Sequence, residues 1–391
     1  MADYYDTTAA ETVKLWSRKT WRDWRQADSI FDPKNKFVGD DADRFPVVML
    51  DDFEKGPGDK LTITLSHQIG GRGSTGDEEL EGKEQSHETD TFDLKVDVLR
   101  HAVKCRGKFM NLQRVHHDTM KEASTMLREW FHVRREVMVT NHLCGNSRQT
   151  DLAFTGNNTV AEPDSEHIYR INQGLGASND QTVGADTTAK FDVDDADALV
   201  TLAETSDPVI KPFYIDGNPY YGMMLHPFVV EDLRNVNSTW YAEMKAALQG
   251  GAIKDNPIWG RALGMHRNVI FFSNPYITQG KNSSTGAAVS NTRRNIFFGA
   301  GAVALGYGIV SKEGDADKLK WFNTSTDFGA KYHVAGTMVV GCKAVRFNDY
   351  GGTARDYGKI VVVSYSADRR AYKYKVGNRA TVDTYDYGQP Q

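Results

Sequence analysis

The chain has 391 residues, 40% hydrophobic and 25% charged, which is enough for two or three domains and a substantial core. Its formal net charge of −5 argues against wrapping nucleic acid by broad phosphate neutralisation, which needs a basic surface. No stretch approaches the roughly 20 apolar residues of a membrane span. The N-terminus lacks the basic region and apolar run of a secretory signal. Cys105, Cys144 and Cys342 are far apart and odd in number, which suggests buried thiols in a reducing compartment and gives no metal spacing.

Residues 1–45 show little core pattern. Trp16, Trp21 and Trp24 sit among Arg18, Arg22 and Arg25. Three readings stand side by side: a short amphipathic helix docked on its own chain, an arm lying on a neighbouring subunit, or a membrane or nucleic-acid contact. Residues 61–69 alternate apolar and polar, as a half-buried strand does. They run into a glycine-rich, acidic segment holding Gly71, Arg72, Gly73, Gly76, Asp77, Glu78, Glu79 and Glu81. Alternation returns over 92–103. The pattern predicts a long two-stranded arm with a polar tip. Because a lone hairpin is marginal in water, the arm is expected to gain stability from a neighbour.

A helix is predicted over 118–144, roughly 40 Å long. Thr119 and Glu122 stand at capping-box spacing and Gly145 is the stop. Met126, Trp130, Val133, Val137 and Cys144 fall on one face, which is expected to be buried. Residues 145–190 read as loops. Asp192, Asp194 and Asp195 precede an apolar run, a capped helix start. A calcium loop would need glycine at the sixth place and an oxygen ligand where Ala196 stands. Mixed α/β pattern follows from Pro208: strands over 222–226 and 269–272, helices over 229–234 and 240–248, and a polar loop over 280–286. Residues 337–347 and 359–365 are β-rich, and 381–391 form a polar tail.

Catalytic motifs are missing. No Gly-Lys pair is followed by Ser or Thr, so there is no P-loop, and neither a zinc-protease helix nor a nucleophile elbow occurs. Gly299-x-Gly301-x-x-Ala304 after an apolar strand resembles a dinucleotide fingerprint. Gly306 and Gly308 would break the helix that must follow, so close backbone packing is the preferred reading. His116-His117 lacks a third ligand at helical spacing. No catalytic, cofactor-binding or metal-binding residue is expected.

In its order of features the chain resembles the major capsid proteins of tailed bacteriophages, most closely those of podophages related to the enterobacterial phage N-four. The segments that carry the resemblance are 70–82, 97–103, His226-Pro227 with Asp232-Leu233-Arg234, 295–306, Asp327-Phe328-Gly329 and 341–347. The resemblance implies an α+β Hong Kong-type capsid fold. In that fold 1–60 is an N-terminal arm and lead-in, and 61–105 an extended hairpin loop. Residues 106–207 form a peripheral domain with spine helix 118–144, and 208–335 an axial domain. Residues 336–391 complete the peripheral domain and the tail. It also implies hexamers and pentamers closing an icosahedral shell around double-stranded DNA, assembled in the bacterial cytoplasm. A separate scaffold, a portal and decoration proteins are the expected partners. The tip residues 71–73, Gly76 to Glu79 and Glu81, with Arg18, Arg22 and Arg25, are the expected inter-subunit contacts. Two other readings are a cellular nanocompartment shell of the same fold and a nucleotide-binding oxidoreductase built on 299–304.

Overall fold

The computed structural model describes residues 37–42, 44–50, 59–66, 73–76, 79, 81, 83–84, 89–106, 119–176, 179–215, 217–242, 262–308, 319–326, 328, 330–348 and 352–367. In chain order the first elements are β1 (Val38–Gly39), β2 (Val47–Leu50), β3 (Lys60–Ser66), β4 (Thr89–Lys95), β5 (Asp97–Arg106), α1 (Thr119–Cys144) and α2 (Leu152–Thr155). Next come β6 (Ile168–Arg170), β7 (Gly174–Leu175), α3 (Asp180–Ala185), α4 (Val193–Thr205), β8 (Phe213–Ile215), β9 (Asn218–Leu225) and α5 (Pro227–Val236). The rest is β: β10 (Ala262–His266), β11 (Val269–Ser273), β12 (Gly280–Lys281), β13 (Ala288–Val289), β14 (Thr292–Phe298), β15 (Val303–Tyr307) and β16 (Lys320–Thr326). The last strands are β17 (Lys331–Ala344), β18 (Arg346–Asn348), β19 (Ala354–Asp356) and β20 (Lys359–Tyr365).

The long strand β17 organises a six-stranded sheet. Its residues 331–337 pair with β16 on one side and β5 on the other, and its residues 340–344 pair with β15, which continues to β2 and β1. Helix α1 covers one face. Gly336 lies so close to Phe131 that a Cβ there would sit 2.5 Å from the ring. His101 stacks on Trp130 with ring centroids 4.4 Å apart, and Val334 and Met338 are buried in the same layer. Gly145 ends the helix at φ 62°. Its N–H donates to His142 O and that of Asn146 to Asn141 O, the paired closure that satisfies a helix's last carbonyls.

Of the face read from periodicity, Val133, Val137 and Cys144 are buried and Trp130 is partly buried against the main core, but Met126 is 50% exposed. Phe131, Met138 and Leu143 also face the main core, and Leu127 is buried. From Arg135 to Cys144 every residue is buried, because the second half of the helix runs between the two sheets. A single apolar stripe therefore describes only its first half.

The second sheet has eight strands in the order β10-β11-β9-β14-β20-β6-β7, with β8 on β9. Its β14 is wholly buried, and α4 and α5 supply Leu199, Val200, Val229 and Leu233 to the core on one side. The Asp192 cap holds: its carboxylate accepts Asp195 N–H, and Asp195 accepts Asp192 N–H, each at 3.0 Å. The 280–286 loop is the end of a small hairpin, β12 with β13.

The fingerprint-like stretch 299–304 links β14 to β15, a strand where a dinucleotide fold requires a helix. Gly299 is there for space: a Cβ would stand 2.1 Å from Lys211 O. Neither sheet follows the boundaries at 207/208 and 335/336. β6 and α4 share a core with β9 and β14, β15 and β16 flank β17, and β20 lies between β14 and β6.

Candidate assembly site

The predicted arm divides at Val96. β3 and β4 pair antiparallel, Lys60 to Ser66 against Lys95 to Thr89, and then β5 leaves to pair with β17. Within 92–103 the two strands differ: β4 buries Phe92 and Leu94, whereas β5 only partly buries Leu99 and Val103, on the opposite parity. Leu61, Ile63 and Leu65 share a face with Phe92 and Leu94. That face packs on Val345, Phe347 and Ala304, leaving Phe92 and Leu94 3% and 0% exposed. The base of the arm is thus stabilised by its own subunit, where a neighbour was expected.

Polar contacts fix the angle at which it leaves. Asn158 accepts from Lys95 N–H at 3.0 Å and donates to Lys95 O at 2.7 Å. Val96 N–H closes the base on Asp59 O. Lys343 donates to Asp93 O at 2.8 Å, with its ammonium 4.5 Å from the Phe92 ring centroid. Gly341 admits the Lys95 carbonyl, which a Cβ would meet at 2.1 Å. On the solvent side Lys60 pairs with Asp93 at 2.7 Å, and the Lys60 and Thr62 hydrogen bonds hold the Asp93 carboxyl below its usual range. Of the expected tip contacts, Gly73, Gly76, Glu79 and Glu81 are exposed, and both glycines adopt φ 67° with open space around them. Gly71, Arg72, Asp77 and Glu78, and Arg18, Arg22 and Arg25, lie outside the described residues.

Sequence reasoning missed the enclosed charges where the two sheets meet the end of α1. Asp180, 0% exposed, accepts from Arg170 Nε at 2.8 Å and Arg294 Nε at 2.9 Å. Burial alone would raise its pKa, but the two guanidiniums hold it below the usual value. Arg294 also donates to Gly145 O at 2.9 Å. Lys359 is 1% exposed and donates to His142 O and Leu143 O at 3.0 and 3.3 Å, at the C-terminal end of α1. Asp356 offsets its charge at 3.6 Å and also pairs with Arg346 at 2.9 Å. Burial raises the Asp164 carboxyl, but His167 and the backbone N–H groups of Asp356 and Glu166 bring it down to about 2. Burial drives His142 down to about 4, so it is neutral, with its Nε2 2.8 Å from Thr155 O. Burial pushes both the Cys144 and Cys342 thiols up, so neither is reactive. Two Arg residues within the apolar strand β14 and a distant Asp were the available signal.

A cavity of about 330 Å³ lies between β4 and this charged joint, lined by Asp90, Phe92, His142, Lys343, Arg346 and Asp356. Its charges are of both signs and face structural partners. Among the described residues, no three His, Cys, Asp or Glu side chains gather as a metal site.

A β-sheet backed by one long helix, carrying an extended hairpin on its other face and joined to a second sheet with flanking helices, is an α+β Hong Kong-type phage capsid fold. The chain superposes on the capsid of Ralstonia phage GP4 with a TM-score of 0.70 at 24% identity, covering 94% of this chain and 99% of that one. It superposes on the Cyanophage Pam1 capsid asymmetric unit with a TM-score of 0.67 at 19% identity, covering 94% and 100%. The chain belongs to the phage capsid protein family, which matches residues 6–368. It is 25% identical over 374 residues to the major capsid protein of Pseudomonas phage KPP25, spanning 90% of this chain and 94% of that protein. Its role is structural, in the virion capsid, and not enzymatic.

Proposed function

We propose that this chain is the repeating subunit of an icosahedral shell, assembling as hexamers and pentamers around packaged double-stranded DNA. The supporting observation is the hairpin: its base is fixed by Phe92, Leu94, Asn158 and Lys343, while Glu79 and Glu81 at its end are exposed. A rigidly aimed, solvated projection suits heterologous contacts that close under symmetry, each weak and many in number. The hairpin lies across an adjacent subunit, and the N-terminal arm with Arg18, Arg22 and Arg25 adds a second contact. A separate scaffold, a portal and decoration proteins complete the particle, which assembles in the bacterial cytoplasm. The nearest phage group is that of podophages related to phage N-four, on the motif order 70–82 through 341–347.

Electron microscopy of negatively stained full-length protein, expressed with and without a scaffold protein, tests the reading. Closed polyhedral shells or hexagonal sheets are expected. Discrete small oligomers under both conditions would remove it. Deleting residues 71–86 is expected to leave a folded subunit that no longer closes shells. Normal shells from that deletion would sink the hairpin's role.

A further inference from the structure

The cavity of about 330 Å³ under the hairpin base lies at the small end of ligand pockets, which span roughly 300–1,000 Å³. β4 forms one wall, and β17, β18 and β19 bring Lys343, Arg346 and Asp356 to it. Its acids are already matched. Asp90 accepts Asn348 N–H at 2.6 Å and Asn348 Nδ2 at 3.2 Å. Asp93 accepts from Thr62 Oγ1 and from Lys60 Nζ, each at 2.7 Å. Asp356 accepts Asp164 N–H at 3.0 Å and Arg346 Nη2 at 2.9 Å, and faces the Lys359 ammonium at 3.6 Å. Every oxygen of these carboxylates therefore has a donor. The cations have structural partners too, but keep donors to spare. Lys343 is half-buried and gives one N–H to Asp93 O, which leaves two. Arg346 gives Nη2 to Asp356 and to Glu162 O. Its Nε–H is buried with no acceptor among the described residues, and a buried donor left so is costly and rare. Burial, with the like charges of Lys95, Lys60 and Arg346, holds the Lys343 ammonium below its usual range against the pull of Asp93. What this wall lacks is an acceptor that carries negative charge.

We propose that this cavity binds a small tetrahedral oxyanion of the phosphate or sulfate class, held by Lys343 and Arg346. Such an anion presents acceptor oxygens on every side, so an ammonium and a guanidinium can bind it together. At about 30 Å³ per water, the cavity has room for the anion and several waters around it. The matched acids favour this reading over a cation, because they have no oxygen left without a donor. The site is built from one subunit and is independent of shell formation. It joins β4 of the hairpin to β17 and β18, so an anion held there stiffens the base of the hairpin.

The experiment titrates the full-length protein with inorganic phosphate, and separately with sulfate, against sodium chloride of equal ionic strength. Calorimetry reads binding, and hydrogen exchange reads the amides of β4. Saturable binding of one anion per chain is expected, with slower exchange over residues 89–95. Lys343→Gln and Arg346→Lys are each expected to weaken binding about tenfold or more, the loss of one charge-assisted hydrogen bond. Arg100→Gln/Lys104→Gln, which removes two exposed cations of β5, is expected to leave it unchanged. Thermal melting in chloride monitors the fold, and Lys343→Gln decides alone if Arg346→Lys does not fold. No saturable binding of either anion to wild type overturns the proposal. Binding that survives the cavity variants, or that the β5 pair abolishes, overturns it as well. A short DNA strand without terminal phosphates that displaces the anion would assign the site to a nucleic-acid backbone instead of a free anion.

Discussion

In β14, at the centre of the eight-stranded sheet, Arg293, Arg294 and Asn295 are 7%, 2% and 0% exposed, and Arg294 is locked to Asp180. In β5, at the margin of the six-stranded sheet, Arg100 and Lys104 stand in solvent. The same residue types do opposite work. Enclosed charges must have a partner inside the subunit, since an unpaired ion there is far costlier than its pair is stabilising. Solvated charges cost nothing to keep and are available to another molecule. The interior joint ties both sheets to the end of α1, while the charges of β5 are solvated.

The largest expected effect breaks the joint. Asp180→Ala leaves Arg170 and Arg294 facing each other without their shared carboxylate, and should cost about 3–5 kcal/mol in denaturant unfolding. A loss no greater than that of an exposed substitution would show that the joint does not hold the subunit together. A second effect is pH-dependent. His142 is held down to about 4 from 6.5, so on acidification the unfolded chain takes up this proton first. Its contribution to stability is whole above pH about 6.5 and falls as pH drops toward 4. Asp164, brought down to about 2, extends the loss below its unfolded value of about 3.8. Melting temperatures across pH 7 to 4 should decline in wild type and decline less in His142→Gln. Parallel curves would show that His142 carries none of the slope. The smallest effect is on the solvent side of the hairpin. Lys60→Ala removes the exposed pair with Asp93 and should leave the melting temperature unchanged within error. A clear drop would mean that this rim shares the cooperativity of the core.

Where a signal is local, the sequence was legible. Alternation marked β3 and β4, Gly145 stopped α1, and Asp192 with Asp195 capped α4. The glycines at 299 and 301 were readable as close packing because Gly306 and Gly308 forbade a helix. Four of the hairpin-end residues expected to reach other subunits are indeed exposed, a property their polarity already implied. What failed was partner choice. Residues 92–103 read as one strand, yet Val96 hands the chain from β3 to β17, and alternation cannot say which surface covers a buried side. Met126 falls on the apolar stripe of α1 but lies where the sheet does not reach.

The amino-acid sequence by itself determined the strand alternation of β3 and β4, the stop of α1, the cap of α4, the exposed Glu79 and Glu81 of the hairpin end and, through the order of its short motifs, the family. These depend on backbone preferences and on side-chain period, which act over a few residues. Only the tertiary structure decided that Asp180 meets Arg294 and Lys359 closes the end of α1. It also decided that one half of a sheet face is covered by the subunit's own hairpin while the described residues of the other half include the exposed Arg100 and Lys104. Those pairings join residues more than a hundred positions apart, and which strands become neighbours is set by how the whole core closes.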